Sequence, residues 1–114
     1  PDPISEETFR SAILDWNETA TANGKARLDL VRSLLTIRRR EIVPLLAGAR
    51  SGSCTQENGL LMADWSLAGG ERLYLLANLS GQPLPRPDVP SGRVIWGGTP
   101  PPQLEPWSVF WSIG

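Results

Sequence analysis

Two aspartates stand beside tryptophans in this sequence, Asp15 before Trp16 and Asp64 before Trp65. A pair of carboxylates suffices to hydrolyse a glycosidic bond, one protonating the leaving oxygen while the other attacks or activates water. That chemistry needs a cleft and a shifted pKa, and most of the other acids fall at helix-capping or solvated positions. Capping and solvation are therefore the expected roles, and no catalytic residue is assigned. The chain has no histidine, which removes Ser-His-Asp and Cys-His nucleophile systems and most zinc sites. Cys54 is alone, in a polar stretch read as a loop, with neither a second thiol nor a partner base. Gly69-Gly70 and Gly97-Gly98 lack the further glycines and the lysine of a phosphate cradle and read as turns. Neither a metal nor a cofactor is expected.

The tryptophans carry the other chemistry. Five occur, at Trp16, Trp65, Trp96, Trp107 and Trp111, and aromatic faces of this kind can stack on sugar rings. Trp65, Trp107 and Trp111 are in phase with aliphatic neighbours, and Trp96 is in phase with Val94. Large side chains so placed are expected to fill the interior of a small β domain. Trp16 and Trp96 are kept as candidate sugar contacts. Arg38, Arg39 and Arg40 could bind phosphate or an acidic partner. Beside Glu41 and at a helix C-terminus, they are expected to compensate the carbonyl dipole.

Whatever holds these residues must fit in 114 residues, 40% apolar and 20% charged, with a formal net charge of −1. One domain of this length buries a core without staples. The charge balance offers no footprint for nucleic acid or an anionic membrane. A single cysteine cannot form an internal disulfide and suits a reducing compartment, so a cytoplasmic location is expected. No stretch approaches the ~18 consecutive apolar residues of a membrane span, and no basic-then-apolar leader opens the chain. Pro1-Asp2-Pro3 reads like the middle of a longer polypeptide.

The positioning elements change character near Pro44. Ser5 is expected to cap a short helix with Glu6 and Glu7 in its first turn and Phe9, Ala12 and Ile13 on one face. Residues Trp16 to Gly24 read as a loop. A longer helix is predicted from about Lys25 to Arg40, capped by Asn23 and ended or redirected by Pro44. Its stripes Leu28, Val31, Leu35 and Leu30, Leu34, Ile37 form a wide face predicted to be buried. Beyond Pro44, strands are predicted from period-two alternation at Leu61–Leu67, Leu73–Leu79, Arg93–Trp96 and Trp107–Ile113. Gly69-Gly70 predicts a two-residue hairpin. Pro83–Pro90 and Pro100–Pro106 should be extended connections at the surface or sheet edge. Arg50–Asn58 reads as a loop that could hide one more short strand.

The order of these features resembles the C-terminal region of malto-oligosyltrehalose trehalohydrolases, glycoside hydrolases of the α-amylase type. The likeness begins at Pro1-Asp2-Pro3, Thr8-Phe9, Ser11 and Leu14-Asp15-Trp16. It continues through Leu34-Leu35-Thr36-Ile37-Arg38-Arg39-Arg40 and Pro44. In the β region it is carried by Trp65, Gly69-Gly70, Arg72-Leu73 and Ala77-Asn78-Leu79, then by Leu104-Glu105-Pro106-Trp107-Ser108-Val109 and Trp111. Branching enzymes and other α-amylase-type enzymes also end in a helix and a β domain.

The resemblance implies an α+β chain. Residues 1–43 would be the end of a catalytic (β/α)8 barrel, including its last helix, and residues 44–114 a small antiparallel, β-sandwich-like C-terminal domain. The parent would cleave the α-1,4 bond beside the terminal trehalose unit and release trehalose. Catalytic groups in such barrels come from the ends of several strands, and those strands precede this segment, so no catalytic residue carries over. The chain is expected to be an accessory region, inactive alone. Its partner would be the catalytic barrel, packed on the helix Leu28–Ile37, with malto-oligosaccharide as a ligand in the alternative reading of a tryptophan-based carbohydrate-binding module.

Overall fold

The computed structural model describes residues 2–114, so Pro1 of the Pro1-Asp2-Pro3 likeness lies outside the described residues. Two compact units make up the chain, one running to Leu35 and the other from Thr36 to Gly114.

The first unit is helical. Helix α1, Glu6–Ser11, starts where the Ser5 hydroxyl accepts the Thr8 amide at 3.1 Å, and Glu6 and Glu7 occupy its first turn. Its Phe9 is 69% exposed. The stretch expected to be a loop instead holds a 3-10 turn, Trp16–Ala20, capped by Asp15, whose carboxylate accepts the Asn17 amide at 2.9 Å. Of the two expected roles, capping and solvation, Asp15 takes the first, on a turn the sequence did not predict. Helix α2, Ala22–Ile37, begins three residues earlier than its apolar pattern implies. Thr21 has extended backbone, and its hydroxyl accepts the Gly24 amide at 3.0 Å. It takes the capping place expected of Asn23, which lies inside the first turn.

None of the α2 side chains is buried, contrary to the expected covered face. Leu28 is 37% and Leu35 55% exposed. Beyond Ile37 the helix widens into a π turn, Arg38–Ile42, in which Val43 donates to the Arg38 carbonyl, and then tightens into a 3-10 turn, Val43–Leu45. Pro44 sits in that last turn. It has no amide for the Arg40 carbonyl, so a regular α ladder cannot continue past it.

In the second unit an antiparallel sheet has the order β1-β2-β3-β7-β5, comprising β1 Arg50–Glu57, β2 Leu60–Ser66, β3 Arg72–Asn78, β5 Arg93–Trp96 and β7 Val109–Ile113. The two proline-rich stretches pair as a ribbon, β4 Leu84–Pro85 with β6 Gln103–Leu104, extended by Arg86 donating its amide to Pro102 at 2.9 Å. The chain is therefore α+β, with two helices preceding an antiparallel β region, as expected.

Four β details differ from the sequence expectation. The segment from Arg50, expected to be a loop that could hide a short strand, is a full eight-residue edge strand. It turns into β2 through Asn58-Gly59, whose φ angles of 50° and 86° match the two-residue hairpin turn that suits twisted strands. The β2–β3 connection is a three-residue turn, Ala68–Gly70, closed by Leu67 donating to the Glu71 carbonyl at 2.8 Å. Trp107, expected as an inward strand residue, has φ 59° and is 69% exposed. Pro106 before it and the Ser108 amide bonded back to Glu105 make a proline-led turn whose next position takes positive φ, so the strand starts only at Val109. Leu79, past the end of β3, is likewise exposed.

Both faces of the sheet are packed. On one face Leu67, Leu73 and Ile113 are buried beneath Ile42 and Leu45 from the turns after α2, with Trp65, Ile95 and Trp111 beside them. The Trp65 and Trp111 rings stack with centroids 5.7 Å apart and planes at 23°. An Arg93–Glu41 ion pair at 2.8 Å fastens β5 to the π turn. On the other face Leu76 and Phe110 bury Leu104 of the ribbon completely, with Leu60 and Met62 alongside. Asn78, fully buried, closes that end. Its amide donates to the carbonyls of Gln82, Leu104 and Glu105, and its oxygen accepts from the Ser80 amide and hydroxyl. A buried side-chain amide satisfied this fully fixes three segments at once.

Candidate functional site

The second face of the sheet is only partly covered by the ribbon, and the uncovered part forms the floor of a groove of about 640 Å³. Strand alternation sends every second side chain to that face, and the pairing lines them up in rows. One row crosses four strands as Thr55, Met62, Leu76 and Phe110. The next runs Asp64, Tyr74, Ser112 and Val94. The segment from Arg86 to Gly92 and the turn Gly98–Pro100 wall the groove. The Arg86 guanidinium donates to the Pro100 carbonyl at 2.6 Å and ties these two walls together.

At one end the groove meets an ion pair. Asp64, only 8% exposed, accepts the Ser53 amide at 3.0 Å and the Ser53 hydroxyl through the same oxygen, and its other oxygen accepts Arg72 Nη1 at 2.6 Å. Two hydrogen bonds from Ser53, its hydroxyl first, and the charge of Arg72 hold this carboxyl below its ordinary value against the opposing effect of burial. Ser53 reaches it because β1 is irregular between Ser51 and Cys54. A side chain on Gly52 would collide with the Asp64 carboxylate. Asp64 is thus an ionised anchor with both oxygens occupied, poorly suited to take or give a proton at neutral pH.

The sequence-derived candidates lie elsewhere. Trp16 is 77% exposed on its 3-10 turn, and Trp96 is half-buried at the end of β5; neither lines the groove. Asp15 and Asp64 belong to different units and cap or anchor local structure. Cys54 is exposed, on strand β1 rather than in a loop. Sequence reasoning missed the groove hydroxyls of Tyr74 and Ser112, and of Thr55 in the neighbouring row. For Tyr74 and Ser112 the signal was the polar phase of the same alternation that marked the core. None of the described helices is long and apolar enough to cross a membrane.

No curated protein matches the chain. A crystal structure from Salmonella typhimurium, described as a putative alpha amylase, matches with a TM-score of 0.81 at 29% identity, over 100% of this chain and 20% of that one. The chain therefore spans about a fifth of that protein's length. Residues 47–111 match the family model described as "Domain of unknown function (DUF3459)". That match takes in the sheet from β1 into β7, and so the chain belongs to the DUF3459 family and resembles the C-terminal region of an α-amylase-type enzyme.

Proposed function

We propose that this chain is the accessory C-terminal region of an α-amylase-type glycoside hydrolase, and that the parent is a malto-oligosyltrehalose trehalohydrolase that releases trehalose. The observation that carries the accessory role is the structural match, which takes in the whole of this chain and one fifth of the amylase-like protein. The trehalose-releasing activity rests on the motifs from Leu34 to Arg40 and from Leu104 to Trp111. Within this reading, residues 1–43 end the catalytic barrel and residues 44–114 form the appended β domain. The cleaving carboxylates belong to barrel strands outside the segment. The parent is cytoplasmic, in keeping with a lone free thiol at Cys54.

Physically, the region serves as a brace. Leucines and a valine that α2 leaves exposed are a ready surface for the barrel, and each one buried stabilises the attachment by roughly 1.5–3 kcal/mol. The test is enzymatic. Given malto-oligosyltrehalose, the 114-residue chain alone should release no trehalose, whereas the product of the full reading frame should. Turnover by the isolated chain would refute the accessory role. Hydrolysis of plain α-1,4-glucan by the full product, without trehalose release, would assign the parent to another α-amylase-type activity.

A further inference from the structure

The groove has a ligand chemistry of its own. Its walls and floor carry two arginines and two aspartates, Arg72 and Arg86 against Asp64 and Asp88, so the formal charges cancel. Arg72 is already paired with Asp64 at 2.6 Å. A phosphate or carboxylate ligand would need an unbalanced cationic rim, which is missing here. A strand-like peptide would need an open row of backbone amides and carbonyls, but the floor is a sheet face, where only side chains project.

What the floor does offer is hydroxyl groups set against apolar surface. Tyr74 and Ser112 are paired across strands in one row of the floor, and Thr55 stands in the next. Among the described residues none of the three side chains makes a hydrogen bond. Those of Tyr74 and Ser112 are not sealed in the core either, since among the described residues no buried side-chain oxygen lacks a partner. A hydroxyl both donates and accepts, so such a cluster matches a ligand that is itself hydroxyl-rich. Met62 and Val94 supply the apolar contact that the C–H face of a sugar ring requires. The volume of about 640 Å³ lies within the roughly 300–1,000 Å³ of small-ligand sites.

We propose that this groove binds a short neutral oligosaccharide through the hydroxyls of Tyr74, Ser112 and Thr55 and the apolar surface of Met62 and Val94. The neutral, polyhydroxylated class follows from the groove alone; the choice of an α-1,4-linked glucose chain rests on the glycosidase reading above. The site lies apart from the tryptophan candidates Trp16 and Trp96.

The experiment is a titration of the chain with maltotriose, at millimolar concentration, followed by backbone amide resonances. Saturable shifts centred on Tyr74, Val94 and Ser112 are expected. Removing two hydroxyls with Tyr74→Phe and Ser112→Ala, which preserves the sheet, should weaken binding roughly tenfold. Val94→Trp should abolish it by filling the groove. Three outcomes would overturn the proposal: no shifts at these residues, shifts centred on Trp16, Trp96 or Trp107, or tighter binding of inorganic phosphate or a proline-rich peptide at the same residues. Failure here leaves trehalose release by the full product untouched. Maltotriose binding without any such release would instead count against the proposed parent activity alone.

Discussion

Asp64 shows how one residue changes meaning once its surroundings are known. In sequence it is an acid beside a tryptophan, one of two that could have been catalytic. In the structure it is a buried anchor that holds the irregular stretch of β1 through Ser53 and the start of β3 through Arg72. Its lowered pKa fixes the direction of a pH effect. The folded carboxyl binds its proton less readily than the unfolded one, so its contribution to stability is complete above the ordinary value of 3.8. That contribution is lost as pH falls from there through the folded value. Asp64→Asn should therefore cost about 2 kcal/mol at neutral pH, judged by urea denaturation, and the gap to the wild type should close below pH ~4. Arg72 is partly exposed, so most of this cost should persist in high salt. The Asp15 partner, Asn17, is two residues away, within reach of local pattern. Ser53 is eleven residues from Asp64, beyond the reach of local pattern.

Elements were legible to the extent that burial wrote a period into them. Strands β2, β3 and β7 each have a face in the core, and their alternation is plain in the sequence. Strand β1 is exposed along its whole length, so nothing selects apolar residues there and its alternation is absent. The readable signal was the turn, Asn58-Gly59. Gly59 has φ 86°, and an added Cβ would lie 2.7 Å from the Ser80 Cβ. Gly59→Ala should consequently lose about 1–2 kcal/mol and loosen the β1 amides selectively in hydrogen exchange. Leu104 makes the complementary case at the ribbon. It is fully buried on Phe110 and Leu76, and Leu104→Ala should destabilise the chain by about 2–5 kcal/mol, seen as a lower urea midpoint. Trp107 fell on the wrong side of the pattern because Pro106 begins a turn where the alternation alone reads strand.

At the scale of the molecule, the two faces of the β sheet are built differently from the helix that precedes it. Trp65 and Trp111 stack in one packed face, and Asn78 locks the edge of the other. Helix α2 carries two apolar stripes, and none of its side chains is buried. The sequence pattern predicted a covered face, and within the described residues that face stays uncovered. In the proposed enzyme the cover is the catalytic barrel.

Sedimentation of the isolated chain across a range of concentrations measures that unsatisfied surface directly. The wild type should self-associate and bind an apolar dye, while Leu28→Lys combined with Leu35→Lys should sediment as a monomer with unchanged β structure. A wild-type chain that stays monomeric at every concentration and leaves the dye unbound would contradict the account.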